Sequence, residues 1–442
     1  VVGGGLAGIA AALRLTDAGL PVTLLEARPR LGGATYSFRR GDLTVDTGQH
    51  VFLRCYRSYR DLLDRLGSTD RVAVQDAFSV PVLRAGAPPQ RLARSRRLPA
   101  PVHLVPALLG YRHLPLRRRL GAVRAAAALR GVRPDDPAAD RVSFGAWLAA
   151  HGQDEATVRH LWELVCVAAL NAPPQSASLA LAARVFQTGL LDTADAGDLG
   201  LLRAPLAEVH GGPAADLLSR LGATVRTGVR ARRVVRQRGG YQVDTDAGGQ
   251  PARAVVLAVP HQQAARLAPD EATPGRNRWA ALGDAPIVNV HVRYAHPVTD
   301  LRLAAGLDSP VQWVFDRTPP EVPGQYLVVS VSAAQAALGT PTGALARTHL
   351  AALAELFPAA GRTPVTDVFV TREPRATFRQ APGTAALRPR PATALPGLAL
   401  AGAWTDTGWP DTMEGAVVSG QRAAEVVLAD LGVSSSTTEA LP

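Results

Sequence analysis

VVGGGLAGIAAALRLTDAGLPVTLLEA, residues 1–27, is the stretch that decides the fold. Gly3, Gly5 and Gly8 make the spacing G-x-G-x-x-G. Val1 and Val2 read as the end of a strand, and Leu6, Ile9, Ala10, Leu13 and Leu15 recur at roughly helical spacing. Gly19 suits a helix end, Pro21 opens a second apolar run, and Glu26 closes it 18 positions after Gly8. Strand, glycine turn, helix and a strand ending in an acid together describe a unit that holds an adenine dinucleotide. Gly3 permits the tight turn, Gly5 lets a pyrophosphate approach the backbone, and Gly8 lets helix and strand pack closely. The helix N-terminus stabilises phosphate charge, while Glu26 accepts hydrogen bonds from ribose hydroxyls. A plain β-α-β turn is the alternative. The fold expected is α/β, built on a Rossmann-like dinucleotide-binding domain.

The next residues narrow the cofactor. "ARPRLGGATYSF" (27–38) places a second glycine pair after Arg28 and Arg30. This resembles the flavoprotein superfamily of amine oxidases and carotenoid desaturases, in which E-x-x-x-x-x-G-G follows the fingerprint. The resemblance implies FAD, with Gly3, Gly5, Leu6, Ala7, Gly8, Glu26, Ala27, Arg30, Gly32 and Gly33 against it. It also implies a late return to the flavin domain, and "LALAGAWTDTGWPDTMEGAVVSG" (398–420) is similar to that return. Gly402, Met413, Glu414, Gly415 and Ala416 are then cofactor contacts, the amides of Met413 to Gly415 facing the pyrimidine edge where negative charge grows on reduction. The superfamily has Gly-Asp after the strand where this chain has Gly402-Ala403. Losing one such hydrogen bond costs about 1 kcal/mol, unless Thr405 or Asp406 replaces it. A second visit, with Ala231 beside the adenine, is implied within residues 206–262. There is no second fingerprint for a nicotinamide and no paired Cys motif, so the electrons come from an external donor.

Composition bounds the rest. A chain of 442 residues divides into at least two domains. The expected division has flavin-binding segments at 1–75, 206–262 and 391–430. A helical substrate subdomain occupies 76–205, a mixed substrate sheet 263–390, and a disordered tail 431–442. The net charge is +11, but all 48 basic residues are Arg, which points to genome composition; no nucleic-acid module accompanies the charge. Cys55 and Cys166 stand far apart in no metal or dithiol motif, so no metal is expected and a cytoplasmic chain is. Only two residues precede the glycines, where a strand normally has about five, so a few N-terminal residues are expected to be missing. From Phe78 to Pro134 there is no Asp or Glu but twelve Arg, including Arg94, Arg96, Arg97 and Arg117 to Arg119, interleaved with Val and Leu. That pattern suits peripheral contact with an anionic membrane on the inner face of the cell membrane; a solvated helical face is the other reading.

"DTGQHVFL" (46–53), "RHLWELVCVAALNAPPQSAS" (159–178), "APIVNVHVRY" (285–294) and "PVQWVFDR" (310–317), with the C-terminal segment, resemble the hydroxysqualene dehydroxylases of squalene and hopanoid synthesis. The resemblance implies a long polyprenyl substrate whose allylic hydroxyl is replaced by hydrogen at the expense of reduced flavin. Such chemistry needs an acid for the leaving oxygen and a dry pocket. Asp46, His50, Asp406 and Asp411 are the candidates, with His50 equally readable as a structural imidazole. A carotenoid desaturase and a non-catalytic prenyl-binding escort remain as alternatives. An amine oxidase of the Lys-dependent kind is disfavoured, because the chain has no Lys.

Overall fold

Val2 lies at the centre of a parallel sheet, bridged to Leu25 on one side and Leu257 on the other in a computed structural model that describes residues 1–433. The expectation of a disordered tail falls mostly on residues 434–442, outside the described residues. Thr23–Glu26 pairs in parallel with Thr224–Thr227, and Val255–Leu257 with Leu398–Leu400. Strands from three distant parts of the sequence therefore make one sheet. This is the α/β architecture expected, with a discontinuous Rossmann-like core.

Two helices cover that sheet. Leu6–Asp17 and Met413–Asp430 cross closely because their facing residues are small. A Cβ on Gly420 would sit on the carbonyl oxygen of Ala7, and Ala10, Ala11, Ala423 and Ala424 are buried around the crossing. The carbons that Leu or Ile would add are absent here, so the backbones approach and the glycine turn is held from behind. A three-stranded antiparallel flap follows: Ala231–Gln237, Gly240–Thr245 and Gly248–Ala252.

The second sheet has seven strands. Its order runs Val365–Phe378, Asp284–Tyr294, Gln325–Val331, Trp313–Asp316, Leu303–Leu307, Ser79–Arg84, Gln90–Ala93. All neighbours are antiparallel except Leu303–Leu307 and Ser79–Arg84. The 76–205 stretch is thus not purely helical, since two of its strands complete the sheet formed mainly by 284–378. Its helices include Leu116–Leu129, Phe144–Ala150, Glu163–Leu170 and Leu179–Phe186, packed into an apolar cluster with Phe144, Trp162 and Phe186 at its centre. Asn171, left-handed at the end of its helix, locks this layer to the sheet. It donates to the Ala285 carbonyl at 3.0 Å and accepts from the Ala333 amide at 2.6 Å.

Candidate functional site

The glycine turn separates into two kinds of position. A Cβ on Gly3 would sit on the carbonyl oxygen of Ala258, and one on Gly8 on that of Gly3 itself. These two glycines are required by the fold. Around Gly5, by contrast, the nearest atom to an added Cβ is Gly33 Cα at 3.6 Å. Nothing in the protein fills that space, and Gly5 adopts an extended backbone open to any residue. The helix it opens, Leu6–Asp17, has neither a side-chain cap nor an acidic residue in its first turn. An uncapped N-terminus facing open space suits an anion.

Glu26 stands at the rim. Its Oε2 accepts from the Gly4 amide and its Oε1 from the Arg28 amide, both at 2.7 Å, leaving lone pairs on each oxygen for ribose hydroxyls. Ala27 follows it in the turn. The second glycine pair is tied to the first by a Gly32 amide donating to the Gly4 carbonyl at 2.8 Å. Arg30 stacks its guanidinium over Tyr36 at 3.3 Å from the ring centroid. Its Nη1 is buried with no hydrogen-bond partner, and burial lowers its affinity for the proton. A buried cationic donor without an acceptor costs free energy that a phosphate oxygen would recover. Together the open space at Gly5, the uncapped helix and this orphaned donor fit a dinucleotide. Ala231 pairs with Thr245 in the flap, while two residues earlier the Val229 amide donates to the Glu26 carbonyl at 2.9 Å.

The C-terminal return is organised by a residue that sequence reasoning missed. Arg388, 8% exposed, donates to the carbonyls of Ala403, Thr405 and Trp409 and to the Thr407 hydroxyl. It has no carboxylate within ion-pair distance among the described residues, and burial pulls its basicity down while Asp406, Asp411 and Asp140 push it back. Nothing local in "RPRP" (388–391) announces this role. Gly402, at a φ of 135° that disfavours any side chain, has 2.5 Å between its would-be Cβ and Trp404 Nε1. Thr405 Oγ1 donates to the Gly402 carbonyl at 2.9 Å, and Asp406 is exposed.

Helix Met413–Asp430 is capped by Thr412, whose Oγ1 accepts from the Gly415 amide at 3.0 Å. That corrects one expectation, since the Gly415 amide is committed. The amides of Met413 and Glu414 have no acceptor among the described residues and remain available. Gly415 is needed for packing, its would-be Cβ lying 2.7 Å from the Pro410 carbonyl oxygen; Ala416, next along, is half-buried. The Glu414 side chain turns the other way. It accepts from the amides of Ser58 at 3.2 Å and Tyr59 at 2.8 Å, capping the helix Arg57–Arg65. Gly211, also unremarked in the sequence, lets the "VHGG" segment (209–212) approach, its would-be Cβ being 2.7 Å from the Leu31 carbonyl oxygen.

The four acid–base candidates part company. Asp46 is fully engaged: Oδ2 pairs with Arg317 at 2.6 Å, and Oδ1 accepts from Ser37 Oγ at 2.6 Å and the Leu206 amide at 3.0 Å. It is a structural carboxylate joining the flavin-binding part to the second sheet. Asp406 is exposed at the surface, with no buried pocket around its carboxylate. His50 lines a small hollow of about 20 Å³ with Asp46, Arg302, Arg317, Leu202 and Phe315. Burial depresses its pKa, with Asp46 opposing and Arg317 reinforcing. Asp411 differs from all three. Burial pushes its carboxyl up to about 6, the Phe378 amide and the Arg388 charge opposing. Oδ2 accepts from the Phe378 amide at 2.8 Å, and the Asp411 amide donates to Gln380 Oε1 at 3.0 Å. Gln380 is fully buried and anchored on the Leu170 carbonyl at 2.8 Å, which fixes the pair across two layers. Among the described residues no hydrogen bond engages Oδ1.

A larger cavity, about 190 Å³, opens in the helical layer. Its walls include Leu92, Val102, Leu108, Val123, Trp162 and Phe186, and no charged or amide side chain lines it.

The chain is similar to known proteins over nearly its whole length. The model of the flavin containing amine oxidoreductases matches residues 6–428. The hydroxysqualene dehydroxylase of Sinorhizobium fredii is 31% identical, covering 97% of this chain and 98% of its own. The probable zeta-carotene desaturase of Synechococcus elongatus is 27% identical over the same shares. Wild-type putrescine oxidase bound to putrescine superposes with a TM-score of 0.73 over 97% of this chain and 98% of its own, at 21% identity, a likeness of fold.

Proposed function

The chain belongs to the flavin containing amine oxidoreductases as an FAD-dependent oxidoreductase, and from that premise we propose that it reduces hydroxysqualene to squalene. The observation that carries this reading is the cavity. An amine substrate calls for polar or anionic groups at its nitrogen, whereas these walls offer only hydrocarbon and aromatic surface. A polyprenyl chain suits them. The dehydroxylase named above supplies the reaction, and the desaturase supplies the second reading, in which the same site runs in the oxidising direction.

Gly5, Glu26, Arg30 and the free amides of Met413 and Glu414 would hold FAD, which in its reduced form would supply the hydride equivalent. The chain's own residues must deliver a proton and keep water out. Asp411, protonated below about pH 6, gives its proton to the allylic hydroxyl, which leaves as water. The C–O bond breaks, the allylic cation is delocalised, and the carbon that lost oxygen gains hydrogen. Gln380 and the Phe378 amide orient the acid. The apolar cavity would take the polyprenyl chain out of water. The electron donor is external, and contact with an anionic membrane gives access to a water-insoluble substrate. Single turnover with flavin deuterated at N5 tests the scheme: label should appear at the former carbinol carbon of squalene, provided exchange is slower than transfer. Squalene without label there would remove direct hydride delivery.

A further inference from the structure

Five large apolar side chains stand exposed between Leu98 and Leu120: Leu98, Val102, Leu109, Leu116 and Leu120. Leu116 is 59% exposed and Leu120 48%, one helical turn apart on Leu116–Leu129. The same stripe continues inward as Val123 and Ala127, which line the apolar cavity. On the neighbouring segment Val102 belongs to both surfaces, 44% exposed yet part of the cavity wall. The apolar surface therefore runs without a break from solvent into the interior. Its charge is one-sided as well. Arg97, Arg112, Arg117 and Arg124 are exposed around it, with no carboxylate within ion-pair distance among the described residues. The Arg triplet is less uniform than its sequence implies. Arg118 pairs with Asp154 at 2.6 Å, and Arg119 donates to the Leu114 and Leu109 carbonyls, so only Arg117 of the three is free for a partner.

We infer that this tip is a membrane-inserted mouth, through which an apolar substrate enters the cavity laterally from the acyl phase of an anionic bilayer. The inference deepens the proposed reaction by naming the route to its site, and it rests on that reading only for the identity of the substrate. Leucines at the tip reach below the headgroups while the ring of Arg meets lipid phosphates. No helix among the described residues is long and apolar enough to cross a membrane, so the contact is peripheral. An apolar chain drawn from water would first have to leave the bilayer, at a cost that grows with every CH₂ exposed; a mouth within the bilayer avoids that step.

The test uses the FAD-loaded full chain and vesicles of phosphatidylcholine with or without phosphatidylglycerol. Binding should require the anionic lipid and fall by at least about tenfold in Leu116→Glu/Leu120→Glu. Arg117→Gln should weaken it about fivefold. FAD content and melting temperature show that the variants are folded. In Leu116→Trp, brominated acyl chains should quench fluorescence beyond the wild-type level, since no native Trp lies between residues 78 and 134. Hydroxysqualene carried in vesicles should be turned over far more slowly by the double Glu variant than by wild type, relative to each protein's rate in detergent. Unchanged vesicle binding by that variant, quenching in Leu116→Trp no greater than in wild type, or self-association through the tip in gel filtration would overturn the mouth. Binding and quenching by a protein that forms no squalene would instead refute the reaction and leave the docking face in place.

Discussion

Replacing Gly5 and Gly8 in turn separates what the fold needs from what the cofactor needs. At Gly8 an added Cβ falls on the Gly3 carbonyl oxygen, part of a turn whose own Cβ position is closed off by Ala258. Neither backbone can retreat without tearing the sheet. Overpacking typically costs about 1–3 kcal/mol, and with two backbone groups opposed Gly8→Ala should reach the top of that range. At Gly5 the added Cβ has 3.6 Å to its nearest neighbour, an ordinary contact, and φ of −77° suits any residue. Gly5→Ala should therefore leave apoprotein stability within about 0.5 kcal/mol. Its methyl, however, points into the space a pyrophosphate would occupy. FAD affinity should fall at least about tenfold, or about 1.4 kcal/mol, and Gly5→Val should purify without flavin. Flavin absorbance per protein, together with melting temperatures with and without added FAD, reads both effects. Gly5→Ala should keep the apoprotein melting temperature but show a smaller rise on adding FAD, while Gly8→Ala should lose stability itself. A fully yellow Gly5→Val protein would refute the cofactor site.

Two more substitutions probe the return segment. Asp411→Asn should retain FAD yet lose about 10²–10⁴ in rate, and wild-type turnover should decline as pH rises through about 6. Because folding raises this pKa, the group's contribution to stability is fully present below the usual Asp value of 3.8 and is lost by about pH 6; removing the charge should stabilise the variant at neutral pH by up to about 3 kcal/mol in urea titrations. Equal rates and a flat pH profile would clear Asp411 of the role. Arg388→Met leaves the Ala403, Thr405 and Trp409 carbonyls without their buried donor, and should cost about 3 kcal/mol or more together with most of the bound FAD; unchanged denaturation and flavin content would refute its organising role.

What could be read from the sequence was mostly local. The fingerprint, Glu26 and the C-terminal strand and helix are runs whose residue order carries their geometry within a few turns. The engagement of Asp46 is hidden from the sequence because its partner Arg317 lies 271 positions away, and only folding shows both carboxylate oxygens with partners. Glu414 likewise belongs to a helix start 355 positions earlier, which no periodicity reveals. Arg388 binds carbonyls, which every residue carries and no composition can flag. The basic stretch was legible as a pattern, but the loss of Arg118 to Asp154 and of Arg119 to backbone carbonyls depends on how the helix is set down.

The central claim, reduction of an allylic alcohol by an FAD enzyme with an apolar site, is tested most directly by anaerobic product analysis. Enzyme loaded with FAD and chemically reduced should convert hydroxysqualene to squalene, one for each flavin oxidised, with no nicotinamide bound to the chain. No squalene from the reduced enzyme, with new double bonds introduced into a polyprenyl chain by the oxidised enzyme, would contradict the account and make the protein a desaturase.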